Sequence, residues 1–86
     1  MLFTSPGDLR AFTLKLLDDL ASAGIADETT DRLRTVSNAA YTTGSEWLGD
    51  LGLAVRELQR RHKLQEEFEK HLETIMEAVH AAWPRL

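Results

Sequence analysis

The sequence predicts an all-α protein. Apolar residues recur at spacings of three and four through most of the chain. Two helix starts stand out, at Ser5-Pro6-Gly7-Asp8 and at Asp27-Glu28. From Leu53 to Trp83 there is neither Gly nor Pro, and the residues are mostly strong helix formers. The expected architecture is a helical hairpin, over about 6–23 and 28–43, packed on a long C-terminal helix over about 46–82.

The first helix opens with Ser5 as cap, Pro6 at the first helical position and Asp8 in the first turn. Leu9, Phe12, Leu16 and Leu20 form one stripe, which Leu17 and Ala21 widen. Asp8, Lys15 and Asp19 lie opposite, and Gly24 stands just past the end. The second helix starts from Asp27 as cap, with Glu28 and Asp31 at its positive end. Its apolar face is thin (Leu33, Val36, Ala40 and Tyr41), so it is expected to be the least stable element.

The stretch from Tyr41 to Asp50 organises the rest. Gly44 suits the left-handed end of one helix, and Ser45 suits the cap of the next. Trp47, Leu48 and Leu51 begin a new apolar stripe. Gly49 and Gly52 lie on another face with Ser45. Glycine costs about 1 kcal/mol inside a helix, so Trp47, Gly49 and Gly52 are expected to mark a close helix crossing. Gly44 and Gly49 have the spacing of a phosphate-binding loop. No strand precedes them and no Lys follows, so nucleotide binding is not expected.

One seam threads the remainder: Leu48, Leu51, Val55, Leu58, His62, Gln65, Glu69, Leu72, Met76, Val79 and Trp83. It is apolar at both ends and polar in the middle, and Pro84 stops it. Two structures fit. Either 46–82 is one helix of roughly 55 Å, or the chain turns near Arg61-His62-Lys63 and makes a four-helix bundle. The turn residues such a break usually needs are missing, and the long helix is preferred on that ground. The first two helices would cover only half of it. Phe68, Leu72, Ile75, Met76, Val79 and Trp83 would stay exposed, a patch that monomers avoid. A homodimer through these residues is therefore expected.

Length and composition set further bounds. The chain has 86 residues, read as one domain spanning 1–86. It has no Cys, so neither disulfides nor thiolate metal sites enter. No apolar run nears the roughly 18 residues of a membrane span, and Met1 to Arg10 lacks a signal-peptide pattern. A soluble, bacterial, cytoplasmic protein is expected. The net charge of −4, from ten basic and fourteen acidic residues, argues against general nucleic-acid binding.

Little in the sequence points to chemistry, and neither an enzyme nor a cofactor is expected. His62, His71 and His80 are spaced by nine and face alternate ways along a helix. Glu77-Ala-Val-His80 has the spacing of di-iron bundles but no second copy. There is no nucleophile elbow. Arg56, Arg60 and Lys63 form a basic patch that could meet an acidic partner, although Glu57 and the glutamates from Glu66 dilute it. The function expected is a protein–protein interaction module, homodimeric through its C-terminal half. The alternative is a monomeric four-helix immunity protein or antitoxin whose acidic surface neutralises a basic protein.

Overall fold

The computed structural model describes residues 6–39 and 44–82. Among these residues there are four helices and no strands. The helices are α1 (Pro6–Ser22), α2 (Glu28–Asn38), α3 (Gly44–Arg61) and α4 (Glu66–Ala82). Each packs on its neighbour in the chain, and α4 closes the ring on α1, while the backbones of the diagonal pairs α1/α3 and α2/α4 stay further apart and only side chains meet between α1 and α3. The result is a four-helix bundle of 35 × 24 × 21 Å.

Local chemistry explains the end of α1 and both ends of α2. At the end of α1, Gly24 takes φ 87°, where a side chain would be strained. Gly24 N then donates to Ala21 O at 3.0 Å and Ile25 N to Leu20 O at 2.9 Å, the paired bonds of a Schellman motif. Asp27 caps α2: its carboxylate accepts from the N–H groups of Thr29 and Thr30, and the Thr30 hydroxyl accepts from Asp27 N. Ala39 ends α2 in extended backbone, its N–H returning to Val36 O at 3.2 Å.

The core is built from the expected stripes. Leu16, Leu17 and Leu20 of α1 meet Leu33 of α2, Leu51, Val55 and Leu58 of α3, and Leu72 and Ile75 of α4. Four polar residues are also buried: Thr13, Thr29, Thr30 and Ser37. Their hydroxyls are satisfied locally. Thr13 donates to Leu9 O at 2.9 Å and Ser37 to Leu33 O at 2.8 Å, while Thr29 and Thr30 bond within the cap. Thus α2 buries polar residues that its thin apolar pattern did not announce.

Several expectations are corrected. The single helix over 46–82 is broken: residues 62–65 are not helical, and the four-helix alternative is the structure. The reason is burial. Folding α4 back lets α1 and α3 cover its whole apolar face, which one long helix would leave bare. Leu72, Ile75, Met76 and Val79 are consequently core residues, between 0% and 5% exposed. They are not a free face awaiting a second copy. Phe68 is half-buried against the same core. Helix α2 stops at Asn38, short of 43, and α3 takes in Gly44 and Ser45, which the sequence assigned to a cap. The Ser5 cap, Ala40, Tyr41 and Trp83 lie outside the described residues.

Candidate interaction surface

The bundle fixes its two ends through named side chains, and these ties decide which groups remain available. At one end α2 leaves its last carbonyls without helical partners. The indole Nε1 of Trp47 donates to Val36 O at 3.0 Å, and Arg10 Nε donates to Ser37 O at 2.7 Å. The Arg10 guanidinium also lies 5.7 Å from the Trp47 ring centroid, within cation–π range. Trp47 is 6% exposed. It belongs to the apolar stripe read from the sequence, whereas the role of Arg10 was not visible there.

At the other end Asp27 ties α2 to the exit of α3. Its Oδ2 lies 2.7 Å from His62 Nε2 and 3.9 Å from Arg61 Nε. Arg61 Nη1 also meets Glu28 at 3.0 Å. The Thr29 hydroxyl, His62 and the N–H groups of Thr29 and Thr30 hold the Asp27 carboxyl far below the usual carboxylate range, and partial burial opposes them.

Between α3 and α4 a polar seam runs along the surface. Gln59 Nε2 donates to Glu69 at 3.0 Å and to Glu73 at 2.9 Å, and Arg56 Nη1 reaches Glu73 at 3.1 Å. The bond from Gln59, then the charge of Arg56, lowers the pKa of Glu73. Higher on the same side Gly52 faces α4. A methyl there would lie 3.5 Å from Val79 Cγ1 and 3.6 Å from Met76 Cε, ordinary contact distances. Gly49 is buried as well.

The histidines are placed separately. His71 meets Phe12 edge to face, with centroids 5.6 Å apart. His62 is the partner of Asp27, and His80 is exposed on α4. Among the described residues, no group of three His, Cys, Asp or Glu side chains could hold a metal ion. Among them, too, no helix is long and apolar enough to cross a membrane.

What remains is the outer side of α3. Leu53 is 58% exposed, and among the described residues it alone of the large hydrophobics is exposed. Arg56 and Arg60, at spacings of three and four along the helix, share this side, and Lys63 follows just past the helix end. Arg56 is committed to Glu73. Four further basic side chains are also engaged, Lys15 with Asp19, Arg32 with Glu57, Arg34 with Asp18 and Lys70 with Glu66. Arg60 and Lys63 are exposed and carry no such partner among the described residues. The basic patch read from the sequence therefore reduces to two cations without a partner among the described residues, on a helix that also exposes a leucine. Leu53 was missed because it lies off the seam, though its spacing to Arg56 and Arg60 was readable. No protein-family model matches the chain, and no curated protein or solved structure matches it.

Proposed function

We propose that this chain is a protein-binding module that works by contact rather than by catalysis, and that it engages its partner through the outer side of α3. The observation that carries this reading is that α3 carries an exposed leucine, Leu53, and two turns on an exposed Arg60, with exposed Lys63 just past the helix end, and that no described residue neutralises either cation. Such a surface suits a partner that offers an apolar recess edged by carboxylates. The structural employment of the buried hydroxyls and of His62 supports the non-catalytic part.

A second reading has its own support. Asp31, Glu67 and Glu77 are exposed and unpaired among the described residues, and the net charge is −4, which suits a basic protein to be neutralised. These carboxylates are spread over α2 and α4, so they make a weaker focus than α3.

The test uses the full chain as bait in extracts of its own cells, alongside two variants. One is Leu53→Glu with Arg60→Glu; the other is Asp31→Ala with Glu67→Ala and Glu77→Ala. The expected result is a saturable partner whose affinity falls at least about tenfold, or 1.4 kcal/mol, with the α3 variant and holds with the other. The reverse pattern establishes the basic-partner reading and removes the α3 assignment.

A further inference from the structure

We propose that the chain exchanges α4 between two copies, with α3 and α4 joining into one continuous helix, to form a symmetric swapped dimer. This does not rest on the binding surface above. The reasoning starts at residues 62–65. The segment His62-Lys63-Leu64-Gln65 contains no Gly or Pro, so no residue there forbids a helix. Helical bonding runs up to it from both sides, His62 N donating to Leu58 O and Glu69 N to Gln65 O, each at 3.0 Å. The seam also passes through in register, at Leu58, His62, Gln65, Glu69 and Leu72.

The bend is therefore held by tertiary contacts. One is the 2.7 Å tie between His62 and Asp27. The others are the packing of half-buried Leu64 on the core and the burial of Leu72, Ile75, Met76 and Val79 in the bundle. That burial is not specific to one chain. A straightened α3–α4 helix would carry α4 away from its own α1–α2–α3 and deliver it to the same place on a second copy. Every core contact would then be remade, each copy completing the other's bundle. Only the hinge differs. The swapped form gains helix at 62–65 and loses the His62 tie and the present packing of Leu64. Concentration decides the rest, because the intramolecular docking of α4 corresponds to an effective concentration of about a millimolar for a short linker.

The experiment is sedimentation of the full chain after unfolding and refolding at about 10 µM and about 1 mM, concentrations that bracket this value. It is combined with cross-linking of a Gln59→Cys, Glu73→Cys variant by a short bismaleimide. Gln59 Nε2 and Glu73 Oε2 are 2.9 Å apart across α3 and α4, and the chain has no native Cys. A swapped dimer gives covalent dimers on a denaturing gel; an unswapped molecule gives links within one chain. The expected result is monomer at the low concentration and a cross-linkable dimer at the high one. His62→Ala should tighten the dimer by about fivefold per hinge, the factor that one hydrogen bond of ordinary net strength represents. Gln65→Gly should weaken it, because Gly is tolerated where the carbonyl caps α4 and disfavoured inside a continuous helix. A monomer at both concentrations in the parent and in His62→Ala overturns the proposal, as does a dimer linked only within chains. An unfolded His62→Ala leaves the decision to the parent and to Gln65→Gly.

Discussion

The indole of Trp47 donates to the carbonyl of Val36 at 3.0 Å, joining the start of α3 to the end of α2. The bond and the ring do different things: the ring fills core volume, and the N–H gives Val36 O a second donor beside the Ala39 N–H. Trp47→Ala should cost about 3–5 kcal/mol. Trp47→Phe keeps most of the volume and should cost about 1–2 kcal/mol, near the value of one hydrogen bond. Urea unfolding of the two variants measures both. A Trp47→Ala protein that melts within about 3 °C of the parent, less than the shift expected for 1 kcal/mol, would remove Trp47 from the anchor position.

Arg10 closes the same helix end from α1, through Ser37 O at 2.7 Å and the Trp47 ring at 5.7 Å. A charged donor on a partly buried carbonyl contributes about 1.5–3 kcal/mol. Arg10→Met keeps the stem and should lose most of that. Arg10→Lys should also lose, because a point charge cannot serve the carbonyl and lie flat on the indole together. Equal stability of Arg10→Lys and the parent would show that charge alone suffices.

Gly52 lies against α4, and the nearest atoms, on Val79 and Met76, are 3.5 and 3.6 Å from where a Cβ would stand, so a methyl fits in ordinary contact. Gly52→Ala should therefore stabilise, by up to about 1 kcal/mol from helix propensity. Gly52→Leu should destabilise by about 1–3 kcal/mol, as overpacking does. Thermal unfolding decides the sign, and a destabilised Gly52→Ala would mean that α3 and α4 pack more tightly at Gly52 than these distances show.

Asp27 gives a pH dependence with a definite sign. Its folded pKa lies below the unfolded value of about 3.9, chiefly through the Thr29 hydroxyl and then His62. The stability this contributes is fully present above about pH 4–5 and is lost as pH falls through and below the unfolded value. Glu73, lowered first by Gln59, adds in the same direction. Denaturant unfolding at pH 6 and pH 3 should show a smaller loss on acidification for Asp27→Asn than for the parent, since Asn still caps α2. Identical losses in the two proteins would mean that Asp27 is not a titrating anchor.

The residues alone made legible the fold class, the span of α1, the Asp27 cap and the apolar stripes to which Trp47 belongs. Each follows from local chemistry or periodicity: the positive φ of Gly24, a carboxylate before exposed N–H groups, a leucine every three or four residues. Leu53 and the free charges of Arg60 and Lys63 were legible only in part. A patch can be read from spacing, but which cations are neutralised depends on carboxylates from other helices, as Glu73 of α4 shows for Arg56. The bend at 62–65 belonged wholly to the tertiary structure. Local propensity favours a continuous helix there. The helix yields because α4 buries Leu72, Ile75, Met76 and Val79 only by turning back, and Asp27, thirty-five residues away, holds His62 in the turn.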